Sequence, residues 1–222
     1  MSGLSNIYLY RDFTTYALEA CTQAYDYAVK DSNKRYQMSS LLFFARCYCL
    51  LDKLDIAEQK YKQCSAIALE LGKKNFYDIA MQDLAALYKN SHRYTESLLI
   101  LKSLPFNPQV SLLFGQNYLL LNQLDSANYY LKKSLYTDNI YTKRAAYIGL
   151  YKLAEYPMYQ KNMKTYCDSL LFYTDSVMSI DKGKEIIAYK EKYDHQKLIT
   201  EQERLKLEKA DAQRMMFIIT IC

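Results

Sequence analysis

Four times along this chain a tyrosine is followed nine positions later by a small residue: Tyr8 and Ala17, Tyr48 and Ala57, Tyr88 and Ser97, Tyr118 and Ala127. Three positions before each tyrosine stands another small residue (Ser5, Ala45, Ala85, Gly115), and directly before that a bulky apolar one (Leu4, Phe44, Leu84, Phe114). The tyrosines lie 40, 40 and 30 residues apart, so the unit changes length while its internal offsets hold. Self-similarity at such a period implies stacked supersecondary units, each burying its apolar face against the next.

The offsets define the unit as a helical hairpin. In the second copy, Leu41, Phe44, Ala45 and Tyr48 form one stripe of a helix over Arg35–Leu51. The link Asp52-Lys53-Leu54-Asp55 leads to a second helix with Ala57, Tyr61 and Cys64 on its inner stripe. Ala45 and Ala57 are small because two helices that cross closely leave no room for more. Gly72 ends the second helix as a left-handed cap. The third copy supplies Met81, Leu84, Ala85 and Tyr88, then Ser97, Leu101 and Leu104, and is closed by Pro105 and Pro108. The fourth gives Phe114, Gly115 and Tyr118, then Ala127, Leu131 and Ser134; the first gives Leu4, Ser5 and Tyr8, then Ala17, Cys21 and Ala24. This register starts the chain inside a helix, so any targeting segment is expected upstream of Met1. A fifth, divergent unit is expected from Ala145–Glu155, a turn at Pro157, and a helix through Tyr166, Leu170 and Tyr173 to about Ser179. Terminal repeats diverge because their outer face meets something other than a copy of itself.

Composition agrees with helix. Only 5 Gly and 3 Pro are too few for a many-turned β protein. The 24 Tyr, against 8 Phe and no Trp, suit half-buried helix faces where the ring packs and the hydroxyl stays wet. The net charge of +5 comes from 29 basic and 24 acidic residues mixed along the chain, with no basic stripe for phosphates, so no nucleic-acid partner is expected. Six cysteines (21, 47, 49, 64, 167, 222) lack paired Cys-x-x-Cys spacing and read as free thiols. His92, in the Asn90-Ser91-His92-Arg93 turn, and His195 have no metal-ligand partner at helical spacing. No phosphate-cradling glycine cluster and no nucleophile–base pair is present. No catalytic residue, metal or cofactor is therefore expected.

The four concordant copies resemble the tetratricopeptide repeat (TPR), over residues 4 to about 180. The resemblance implies an all-α fold: a TPR-like α-α superhelix, a right-handed solenoid of about five hairpins across residues 1–180. It implies binding of a protein or peptide in a concave groove lined by the first helix of each hairpin. Counted from the repeat anchors, the groove positions are Leu42, Arg46 and Cys49, then Gln82, Ala86 and Lys89, then Leu112, Gln116 and Leu119, with Asn90 and Leu120 alongside. Arg46 and Lys89 would hold a carboxylate, and Gln82, Asn90 and Gln116 an amide backbone. Leu112, Leu119 and Leu120 make one end apolar, suited to a hydrophobic segment or to the chain's own long helix folding back.

Beyond Asp181-Lys182-Gly183 the chain turns highly charged. Residues 181–214 read as a long helix, either a single solvated helix continuing from the last repeat or a coiled coil that would make a homodimer. Leu198, Leu205 and Ala212 recur every seven residues, with Glu201 and Glu208 at the complementary positions. Residues 215–222 are nearly all apolar, too few to span a bilayer but readable as the start of a transmembrane helix that would anchor the chain in a membrane. The run from Tyr189 to Leu198 into this end is similar to bacterial membrane-anchored TPR proteins of signalling or transcription-regulating type. That resemblance implies a sensor module at the inner membrane, with the repeats in the periplasm. Lys197, Arg204, Lys206, Lys209 and Arg214 favour instead a cytoplasmic placement. The rival function is a structural adaptor that assembles protein complexes with no signalling output.

Overall fold

The computed structural model describes residues 14–221, with side chains described through Ala210 except at positions 188, 191 and 192. Helices run α1 Thr14–Lys30, α2 Lys34–Leu50, α3 Leu54–Glu70, α4 Lys74–Asn90, α5 Tyr94–Ser103, α6 Pro108–Leu120, α7 Leu124–Lys133, α8 Ile140–Leu153 and α9 Met163–Ile221, with a 3-10 turn at Pro157–Asn162 before α9. No strand occurs among the described residues. Consecutive helices pack in pairs from α1 through α8, and α4 and α6 each also touch the helix two further on. The expected anchors Leu4, Ser5 and Tyr8 lie outside the described residues, which leaves α1 as the second helix of the first hairpin.

One turn joins most of these helices. Ser32, Asp52, Gly72, His92 and Asn122 all have positive φ, between 51° and 63°. At each, the following N–H donates back to the carbonyl five residues earlier: Asn33 to Ala28 (2.8 Å), Lys53 to Tyr48 (2.9 Å), Lys73 to Ala68 (2.7 Å), Arg93 to Tyr88 (2.8 Å) and Gln123 to Tyr118 (2.8 Å). This is the Schellman closure, which satisfies the last carbonyls of one helix and starts the next within three residues. Asp, Asn and His tolerate the left-handed region better than most residues, and Gly adopts it without strain. Helices of 17 residues joined by these turns fill the 40-residue spacing of the tyrosines. The spacing drops to 30 because α5 and α6 have only 10 and 13 residues. There the Schellman turn is replaced by Pro105-Phe106-Asn107; the Asn107 side chain accepts from the Val110 N–H at 2.9 Å and Pro108 opens α6.

The core is a chain of overlapping clusters. Met38, Leu41, Leu42, Tyr61, Leu84 and Tyr88 form one across α2, α3 and α4. Ala85, Leu101, Leu104, Val110 and Phe114 form the next. Ala127, Leu131, Leu150, Leu153 and Tyr166 form a third. Tyr77, Met81 and Ile100 border both of the first two, and Tyr118 both of the last two. The small residues sit at the crossings as expected: Ala17, Ala57, Ser97 and Ala127 are each 0% exposed, as are Ala45 and Ala85. At the last hairpins Leu131 wedges between two glycines, with a Cβ built on either Gly115 or Gly149 falling 2.7 Å from its side chain.

One crossing is polar. Ser97 donates to the Ala85 carbonyl at 2.8 Å, and Asn117 Nδ2 donates to Ser97 Oγ at 2.9 Å and to the Leu113 carbonyl at 2.8 Å. Both residues are fully buried. Alanine stands at the position of Ser97 in the other units, and Cys47 or Leu87 at that of Asn117. The two departures therefore depend on one another. Ser97→Ala or Asn117→Leu alone should cost about 1–3 kcal/mol, and the double variant less than the sum, with a coupling of about 1 kcal/mol in a urea-melting cycle.

The chain divides into two compact units at Ile180 and Asp181. The helix through Tyr166 and Tyr173 does not stop near Ser179: α9 is helical without interruption from Met163 to Ile221, in agreement with a helix that continues out of the last repeat. A lone glycine inside a helix costs only about 1 kcal/mol relative to alanine, and Gly183 has nothing around it to demand a turn. The expected membrane anchor is overturned as well. Among the described residues no helix is long and apolar enough to cross a membrane, so the inner-membrane placement fails. Through residues 181–210 α9 is studded with Lys, Arg, Glu and Asp. The apolar residues 215–222 are too few to make a span, and their side chains lie outside the described residues.

Candidate functional site

The expected groove residues lie on α2, α4 and α6, the first helices of three successive hairpins. The structure links these helices through two polar contacts. Arg46 Nε donates to Asp83 Oδ2 at 2.8 Å, tying α2 to α4. Lys89 Nζ donates to Gln116 Oε1 at 2.7 Å, tying α4 to α6. Both contacts are half-buried, and Gln82 and Ala86 lie between them on α4, also half-buried. Asn90 is exposed at the end of α4.

The two cations differ in their electrostatics. Arg46 is neutralised by Asp83, whose carboxyl is raised because burial outweighs the attraction of Arg46. Lys89 meets only a neutral amide oxygen, and burial depresses its ammonium. It has no acidic partner among the described residues. A desolvated cation without a counter-charge has most to gain from an anion arriving from outside.

Other expected positions are occupied by the fold itself. Leu42 is 5% exposed and belongs to the core with Met38 and Leu41, so it does not line a groove. It sits one turn from the helix crossing, where α2 is covered by its neighbours. Leu112 and Leu119 pack against the cluster around Ala127, Leu131 and Leu150. Both remain half-buried, and Leu120 beside them is 54% exposed. Cys49 is half-buried with its Sγ 3.7 Å from the Tyr61 hydroxyl, and burial pushes its thiol up. Cys21, Cys47, Cys49, Cys64 and Cys167 form no disulfide among the described residues.

Two polar participants have no place in the sequence reading. Asp83 adjoins Gln82 on α4; an acid two positions before the small residue, facing a base one position after it in the preceding unit, is the signal that would have found it. Glu58 is the other. It accepts from Tyr88 at 2.8 Å and Arg93 at 2.6 Å and pairs with Lys62 at 2.6 Å, while Arg93 also binds Glu96 and lies 4.0 Å over the Tyr88 ring. Burial alone would raise the Glu58 carboxyl, but these hydrogen bonds hold it down to about 2. This network joins α3, α4 and α5.

No protein-family model matches the chain, and no curated protein matches its sequence.

Proposed function

We propose that the hairpins of residues 14–180 form a tetratricopeptide-like superhelix that binds a protein or peptide along α2, α4 and α6, with Lys89 receiving a ligand carboxylate. The repeat register, the small residues at every crossing and the shared turn support the superhelical reading. The observation that carries the binding site is Lys89: a partly buried ammonium held, among the described residues, by Gln116 alone, on the row of helices that the repeat register assigns to ligand. Gln82 and Asn90 flank it with amides suited to a peptide backbone. Arg46 has a lesser part, because Asp83 already balances it.

A peptide library screened twice, with free and with amidated C-termini, tests this. Binders should prefer the free carboxylate, and Lys89→Gln should weaken them about ten-fold, roughly 1.4 kcal/mol, without loss of helical content. The pH dependence has a defined sign. Burial disfavours the charged form of Lys89, so the ammonium loses its proton below the ordinary lysine value of about 10.4. Affinity should thus fall as pH rises through that lowered value, while the Lys89→Gln variant shows no such fall. Equal binding of free and amidated peptides by parent and variant would remove Lys89 from the site.

A further inference from the structure

The repeat offers three equivalent grooves between successive second helices, each floored by the first helix between them. In the groove of α1 and α3 over α2, Tyr25 meets Phe44 edge-on at 5.8 Å, Phe44 stacks on Tyr48 at 6.4 Å, and the Lys60 ammonium lies 5.9 Å from the Phe44 ring. In the groove of α5 and α7 over α6, Tyr130 lies flat on Phe114 at 4.9 Å and on Tyr118 at 5.5 Å, and Phe106 reaches it at 6.4 Å. Both are filled by the chain's own side chains.

The middle groove, of α3 and α5 over α4, is different. It has Ser65 where the first has Tyr25, Leu84 where both others have phenylalanine, and Ile100 where the last has Tyr130. Three smaller side chains leave a hollow of about 430 Å³, walled by Tyr77, Met81, Leu84, Tyr88 and Ile100. That volume lies within the usual range of ligand sites, about 300–1,000 Å³. Leu69 and Leu99 also line it and are 63% and 71% exposed. Its charged lining is balanced: Lys62 and Glu96 carry opposite charges, and Glu58 and Arg93 link the two in one ion-pair network. An occupant complementary to this lining carries no net charge. The half-buried Tyr77 ring and Met81 sulfur favour a π face over an aliphatic one.

We propose that this hollow docks an aromatic side chain, phenylalanine or tyrosine, presented by a partner polypeptide, which completes from outside the ring stack that Tyr130 completes from within in the next groove. The site uses the second helices of the hairpins, so it goes beyond the carboxylate site at Lys89 and stands or falls separately from it.

The probe is 4-methylphenol, the side chain of tyrosine, titrated into methyl-labelled protein and followed by NMR, with 4-methylcyclohexanol as the saturated control. The methyl signals of Met81, Leu84, Leu99 and Ile100 should shift saturably with the phenol and far less with the cyclohexanol. Ile100→Tyr and Leu84→Phe copy the filled grooves and should weaken phenol binding about ten-fold or more. Leu69→Ala with Leu99→Ala, at exposed positions, should weaken it with the helical signal unchanged. The proposal is overturned by the absence of saturable shifts, or by equal affinity for the two probes. Unchanged binding in the folded filled variants also overturns it; should neither of those fold, unchanged binding in the exposed double variant does so instead.

Discussion

Ala85→Glu should cost several kcal/mol, on the order of 3 or more, and strip cooperative melting from the hairpins. Ala85 is 0% exposed, its carbonyl accepts the Ser97 hydroxyl, and its methyl lies among Leu101, Leu104, Val110 and Phe114. A carboxylate there finds neither water nor a cation. A domain of this size has a net stability of about 5–15 kcal/mol, so one such change removes a large share of it. The control is the next residue: Ala86 is half-buried on the face of α4 that carries Gln82, and Ala86→Glu should cost under about 1 kcal/mol. Urea melting of the two variants, one position apart, reads the helical register directly. Equal midpoints for both would show that α4 is rotated from the orientation described.

Gly115→Ala should destabilise by about 3 kcal/mol although alanine is the better helix former by about 1 kcal/mol. The added methyl would fall 2.7 Å from Leu131 Cγ and 2.9 Å from the Leu131 backbone nitrogen. A side chain can rotate away; a backbone nitrogen cannot, so α6 and α7 must part. Gly149→Ala supplies the contrast. The three atoms nearest its methyl all belong to the Leu131 side chain, two of them methyls at 2.7 and 2.9 Å, and a rotamer change relieves most of that. The propensity gain then leaves Gly149→Ala near neutral, within about 1 kcal/mol. Similar thermal midpoints for the two alanine variants would mean that the α6–α7 approach is looser than drawn.

Local offsets made most of the helical architecture legible. Tyr48 and Ala57, or Tyr88 and Ser97, announce a crossing because close helix contact admits only small residues there, and that constraint survives when helices change length. Gly72 announced its turn because only glycine takes a positive φ freely. Ser32, Asp52, His92 and Asn122 take the same conformation without the same signal, so the common turn emerges only from the backbone. The helix continuing through Gly183 was legible as one of two readings, since one glycine in a charged helix weakens it without ending it.

The candidate site was legible in part. Counting from the anchors placed Arg46, Lys89 and Gln116 on one row of helices, and the structure joins two of them. It could not tell that Asp83 neutralises Arg46, because that pairing spans 37 residues and depends on how successive units slide past each other. Nor could it tell that Leu42 is covered, since a position one turn from a crossing can fall on either side of the core boundary. The hollow at Leu84 and Ile100 was invisible for a related reason. It consists of what three aligned positions lack, and that shows only when the filled neighbours are laid beside it.

The joint that recurs at Ser32, Asp52, Gly72, His92 and Asn122 makes the segments it connects exchangeable. A stretch cut between two such corners carries its own hydrogen-bonded end and its own entry into the next segment. Duplicating or deleting one would therefore leave every remaining seam with the geometry it already has. The length of the stack can change in whole increments across generations while the rules for fitting one segment to the next stay fixed.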